Sequence, residues 1–267
     1  MNNTNYNDIR KTFLKLVDKT HPHSTEEDLL NILPQLEKDE FGNYYKVVGD
    51  KPSTMFNSHL DNYGKEQVNT NPFVKNIEGN DYVFSTNTIL GADDKAGVTL
   101  MLYMIERGVV GLYYFFIGEE VGVIGSSALS NSFDSNRHLD HITKCVSFDR
   151  RGIDSIVTHQ SKERCCSDVF ANRLKDTFLE NGLKFNLDDS GVYSDSASFI
   201  GKIKECTNIS VGYYNEHTTD EKQNISFLES LASACVSIDW EGIPIGNISE
   251  NLKYMKSFNS FKKVKLF

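Results

Sequence analysis

"NTILGADDKAGVTLMLYMIERG", residues 87–108, sets two aspartates side by side between a Gly-Ala turn and an apolar run. From Asp94 to Arg107 the apolar residues Val98, Met101, Leu102 and Ile105 recur at helical spacing, so the stretch reads as a helix with one face in the core. Aspartates at a helix start accept orphan backbone N–H bonds and favour the positive end of the helix dipole. Capping alone would explain the pair. Metal binding is the competing reading, and the rest of the chain weighs between them.

The helix is followed by "GLYYFFI" (111–117), a short continuous apolar run of the kind buried on both faces of a sheet. Before it, "NYYKVV" (43–48) and "TMFNSHL" (54–60) read as strands, and "PFVKNI" and "DYVFST" flank Glu78-Gly79-Asn80 as a hairpin. Ser24 and Glu27 form a capping-box pattern ahead of "DLLNILPQLEK", which predicts a helix kinked or broken at Pro34. Later come a short helix after Gly125, strands "KCVSF" (144–148) and "SIVTH", and a helix "CSDVFANRLKDTFLENG" ending at Gly182. A late strand "CTNISVGYY" and a closing helix "NISFLESLASACVSID" complete the pattern. Strands alternating with helices predict one α/β domain, a three-layer sandwich with a mixed, largely parallel central sheet flanked by helices. Residues 1–240 are expected to form that domain, and 241–267 a lysine-rich extension, solvated or surface-packed in preference to contacting an anionic partner.

Bulk properties narrow the function. A chain of 267 residues with 39% apolar content can bury a substantial core, and a formal charge of −9 argues against nucleic acid as the partner. No apolar run approaches the roughly 18 residues of a membrane span. The N-terminal stretch lacks the basic-then-apolar layout of a secretion signal. Cys145, Cys165, Cys166, Cys206 and Cys235 are odd in number and form no C-x-x-C pattern. They read as reduced thiols in a cytoplasmic protein.

The polar residues that carry chemistry sit just after strands. His59 and Asp61 close "TMFNSHL", Asp93 and Asp94 follow "YVFST", Glu119 and Glu120 follow "LYYFFI", Asp149 follows "KCVSF", and His217 follows "ISVGYY". Ligands of open α/β sheets bind beyond the carboxyl ends of strands, so five such deliveries predict one site. Two imidazoles and several carboxylates suit a divalent metal, zinc first, with cobalt and manganese as alternatives. The surplus of ligands suggests two ions sharing a carboxylate. Strand alternation puts His59 and Asp61 on one side, which lets Asp61 accept the spare ring N–H of His59. Of the adjacent glutamates in "GEEVG", one can bind metal while the other accepts a proton.

The motifs "SHLD", "ILGADDKAG", "GEEVGVIGS", "SFD" and "EHTTDE" resemble, in order, those of the zinc-dependent exopeptidase superfamily, which includes leucyl aminopeptidases and peptidase T-like tripeptidases. The resemblance implies that His59, Asp93 and Asp149 hold one zinc and Asp93, Glu120 and His217 the other, with Asp93 bridging. It also implies Glu119 as general base, Asp61 as orienter of His59, and a cis peptide bond between Asp93 and Asp94. His59 and Asp93 are 34 residues apart and Asp149 and His217 are 68 apart, too close for the inserted barrel or lid of many relatives. "YSDSASF" departs from the leucyl aminopeptidase-like pattern, with Ser196 where that branch often has His, and Asp195 is left as a candidate pocket residue.

The implied activity is hydrolysis of small peptides as an aminopeptidase. A carboxypeptidase or N-acyl amino acid deacylase would share the metal core, and a one-zinc acyltransferase or a metal-free scaffold would lack part of the ligand set. Arg150 and Arg151 either grip a substrate carboxylate or pair with acids around the site. "RHLDHI" (137–142) and "HPH" (21–23) read as a surface loop and a turn, and Tyr213 and Tyr214 as strand aromatics or a pocket wall.

Overall fold

The computed structural model describes residues 6–246. Its centre is an eight-stranded sheet in the order Glu37–Lys38, Tyr44–Val48, Gly111–Phe116, Thr54–His59, Lys144–Arg150, Glu205–Ser210, Ser155–Val157, Asn186–Asp188. The four middle strands, from Gly111–Phe116 to Glu205–Ser210, run parallel; Tyr44–Val48 and Ser155–Val157 flank them antiparallel. Every residue of Thr54–His59, Gly111–Phe116 and Glu205–Ser210 is buried, as in strands covered on both faces of an α/β sheet, and of the three only Gly111–Phe116 is a continuous apolar run. The fold class is the one expected from the alternating pattern.

Side chains alternate across the sheet, and the Thr54–His59 strand shows both layers. Ser58 reaches Met101 of the helix Ala92–Glu106 on one face. On the other, Asn57 accepts from Ser147, whose Oγ accepts the backbone N–H of Ser196 in the 3-10 turn Asp195–Phe199. The Ala92–Glu106 helix is buried nearly all round and not on one face alone, because the helices Ile9–Leu16 and Ile225–Ser237 pack over it. Gly97 sets how close it lies to the sheet: a Cβ there would stand 2.1 Å from the Phe148 carbonyl oxygen and 2.4 Å from Ser58 Oγ.

Side-chain caps start three of the helices: Asp8 accepts from Lys11, Ser167 from Phe170 and Asn224 from Phe227. The box at Ser24 does not form. Ser24 has φ 76, outside cap geometry, and only a 3-10 helix, Glu26–Asn31, follows before Pro34. "CTNISVGYY" is also not one strand. Gly212, at φ 100, breaks it, and Tyr213–Tyr214 joins a separate four-stranded sheet with Lys222–Asn224, Asn80–Phe84 and Phe73–Ile77. The expected hairpin between the last two is present, with Glu78 and Gly79 both left-handed (φ 51 and 88).

The core under the sheet is aromatic. Trp240, 2% exposed, meets Phe56 edge-on at 5.0 Å and lies 6.2 Å from both Phe148 and Phe178, while its Nε1 donates to the Cys235 carbonyl. Packing continues through Ile243, and Gly246 N–H donates to Glu205, so residues 241–246 lie against the domain. The lysine-rich remainder of the expected extension lies outside the described residues. All five cysteines are free and buried. Among the described residues no helix is long and apolar enough to cross a membrane.

Candidate metal centre

Three of the expected deliveries come from carboxyl ends of the central parallel strands: His59 ends Thr54–His59, Glu119 and Glu120 follow Gly111–Phe116, and Asp149 lies near the end of Lys144–Arg150. The other two leave the small sheet. Asp93 lies in the first turn of the helix after Asn80–Phe84, and His217 follows Tyr213–Tyr214. The two sheets therefore close on one site from different sides.

His59 Nε2 lies 3.0 Å from Asp93 Oδ1 and 3.7 Å from Asp149 Oδ1. His217 Nε2 lies 3.3 Å from Asp93 Oδ2 and 2.8 Å from Glu120 Oε1. In each trio the ligand-capable atoms are all within 4.8 Å of one another. Asp93 belongs to both, with one carboxylate oxygen toward each. These are nitrogen and oxygen donors suited to borderline or hard divalent cations, and the acids around them exceed the nearby cations, so the residues fit a pair of metal ions.

The electrostatics express that excess. Burial pushes the Glu119 carboxyl up to about 9, with Asp149, Asp195 and Asp93 adding repulsion, and burial together with Asp93 brings Asp149 to about 7. His217 rises to about 10 on its hydrogen bonds to Asp93 and Glu120. Burial would lower His59, but its contacts with Asp149, Asp61 and Asp93 hold it well above the ordinary range.

Asp61 meets His59 with two groups and also serves the neighbouring turn. The Nδ1 of His59 donates to the carbonyl oxygen of Asp61 at 3.0 Å, and the Asp61 carboxylate lies at 3.5 Å. That carboxylate also accepts the backbone N–H groups of Glu119 and Glu120, at 3.0 and 3.1 Å, and so fixes the turn carrying both glutamates. Asp94 accepts from Gly97 N–H at 3.0 Å, as a helix cap, and from His59 N–H at 3.3 Å. The Asp93–Asp94 peptide bond is cis.

Other residues had gone unread. Glu221, buried, accepts the N–H groups of Leu90 and Gly91 at 2.8 Å and of Asp93 at 3.1 Å, bracing the turn that presents Asp93. Burial raises its carboxyl to about 7 in spite of those bonds. Lys95, fully buried, donates to the Leu60 carbonyl and to Asn62, whose amide donates to the Asp93 carbonyl at 2.8 Å. Tyr63 stacks on His217, ring centres 4.5 Å apart. Two of them lie inside quoted motifs, Glu221 in "EHTTDE" and Lys95 in "ILGADDKAG".

Asp195 is buried with Oδ1 unpartnered, next to the cleft-lining Ser194. Arg150 pairs with Asp188 at 2.8 Å and Arg151 with Glu216 at 3.1 Å. Tyr213 donates to Asp149 Oδ1 at 3.1 Å. His138 stacks on Tyr45 and bonds the Tyr114 hydroxyl, away from the centre. His23, Glu26 and Asp61 form a third trio, in which His23 is bonded to Glu26 and Asp61 to the two glutamate N–H groups.

No protein-family profile and no curated protein matches the sequence. Solved structures do. The aminopeptidase PepT of Bacillus cereus superposes with a TM-score of 0.69 at 18% identity, over 88% of this chain and 98% of that one. A tripeptidase of Staphylococcus aureus gives 0.66 at 20%, over 87% and 97%. The Pyrococcus horikoshii TET1 peptidase, which can assemble into a tetrahedron or a large octahedral shell, gives 0.66 at 14%, over 86% and 98%. The chain thus has the fold of these peptidases.

Proposed function

We propose that the protein is a two-metal exopeptidase that removes residues from the amino end of short peptides. The observation carrying this reading is Asp93, whose two carboxylate oxygens face two separate histidine–carboxylate pairs. In this reading His59, Asp93 and Asp149 hold one ion, and Asp93, Glu120 and His217 the other, with zinc as the expected metal. When bound, the pair supplies Lewis acidity to the scissile carbonyl and to the attacking water.

Glu119 lines the same cleft, and its carboxyl has no hydrogen-bond partner among the described residues. It is free to take a proton from the attacking water and return it to the leaving nitrogen. Asp61 keeps Glu119 and Glu120 in register through their backbone N–H groups, so base and ligand move as one turn. Residues 1–240 form the catalytic domain without an inserted lid, and the buried free thiols suit the reducing cytoplasm.

The test is hydrolysis of free-amine, N-acylated and free-carboxylate peptides with and without chelator, beside Glu119→Gln. Expected are preference for the free amine, loss of activity with chelator, and a loss of at least about a hundredfold in Glu119→Gln with metal still bound. Cleavage by Glu119→Gln at the parent rate would overturn the mechanism, and preference for acylated substrates would reassign the protein as a deacylase or carboxypeptidase.

A further inference from the structure

The cleft of about 620 Å³, its open mouth included, has a second charged wall beside the candidate ligands, carrying Arg150, Arg151 and Glu216. The two arginines differ in what remains available. Arg150 is committed: its side chain is 12% exposed, and Nη2 donates to Asp188 at 2.8 Å and to Ser190 Oγ at 3.1 Å. Asp188 is itself held by the N–H and hydroxyl of Ser190, so Arg150 pins the loop that presents Val192 and Tyr193 to the cleft.

Arg151 is open. Its side chain is 62% exposed, and its one hydrogen-bond partner among the described residues is Glu216, at 3.1 Å. A guanidinium carries five N–H donors in a planar fork that fits a carboxylate, and an ion pair this exposed exchanges readily. Arg150 is committed and His217 is a candidate ligand, so Arg151 is the cationic side chain lining the cleft that a substrate carboxylate can meet. Arg151 follows the candidate ligand Asp149 by two residues and lines the same cleft.

We propose that Arg151 recognises the free α-carboxylate of a peptide bound in this cleft, selecting substrates short enough for their C-terminus to reach it. Glu216 holds the guanidinium in place between substrates. The proposal rests on the exopeptidase reading and adds a specificity residue to it: Arg151, for short peptides with a free C-terminus.

The test compares Leu-Gly-Gly with its C-terminal amide on the zinc-loaded full chain, in the unaltered protein, Arg151→Ala and Arg151→Lys. The unaltered protein is expected to prefer the acid, and Arg151→Ala to lower that preference roughly ten- to hundredfold, through KM. Arg151→Lys restores part of it. An unchanged acid-to-amide ratio in Arg151→Ala, or equal losses on both peptides, would overturn the proposal. If the unaltered protein shows no chelator-sensitive cleavage of either peptide, the exopeptidase reading itself falls, and this proposal with it.

Discussion

Glu221 offers the sharpest check on how the centre is built. Its Oε2 accepts from Leu90 and Gly91, and its Oε1 from Asp93, all buried backbone donors. In Glu221→Gln one of those oxygens becomes an amide N–H₂, which cannot accept. The arrangement that sacrifices least keeps the carbonyl on Leu90 and Gly91 and turns the amide toward Asp93 N–H, donor against donor. One buried N–H left unsatisfied costs about 2 kcal/mol. For a chain of this size that lowers Tm by roughly 4–8 °C. The damage falls at the residue shared by both trios, so zinc affinity should fall about 10- to 100-fold. Thermal unfolding followed by circular dichroism at pH 8, once in chelator and once in zinc, reads both effects. A variant melting within a degree of the parent in chelator, and binding zinc equally well, would refute the bracing role.

Gly97→Ala places a methyl 2.1 Å from the Phe148 carbonyl and 2.4 Å from Ser58 Oγ. The helix must lift off the sheet, with an expected loss of about 3 kcal/mol or more in urea titrations and loss of zinc binding. His21 is buried, and burial, aided by Lys95 and Lys19, lowers its imidazole from 6.5 to about 3. The unfolded chain then binds the proton first, so its stabilising contribution is complete above pH 6.5 and fades as pH falls toward 3. Between pH 7 and 4.5 the parent should lose about 3 kcal/mol more stability than His21→Gln in chelator, and parallel urea titrations giving equal losses would contradict this.

The parts of the centre legible in the sequence are those fixed by strand ends. His59, Asp149 and the Glu119-Glu120 pair each follow a run whose apolar continuity marks a buried strand, and such strands end at one rim. What was not legible depends on where loops turn. Asp61 is two residues past the end of its strand, and while its carboxylate stays 3.5 Å from the imidazole, its bonds to the glutamate turn are ones strand alternation does not describe. Glu221 and Lys95 act on backbone atoms distant in sequence, and no local pattern encodes such a bond. The second sheet was missed because a two-residue strand after a left-handed glycine looks like the tail of the strand before it. Ser24 shows the reverse error, a helix-start pattern with no length of unbroken chain behind it to form the helix.

Trp240 is the only tryptophan in the chain. It lies beneath the sheet among Phe56, Phe148 and Phe178, whereas Tyr63 lies flat on His217 at the rim. Indole fluorescence is therefore a nearly pure gauge of the interior, silent to events at the rim until the interior opens. Tyrosine signals, by contrast, include a chromophore touching a candidate ligand. The chain thus carries two optical channels, one for occupancy and one for melting, readable without any attached dye.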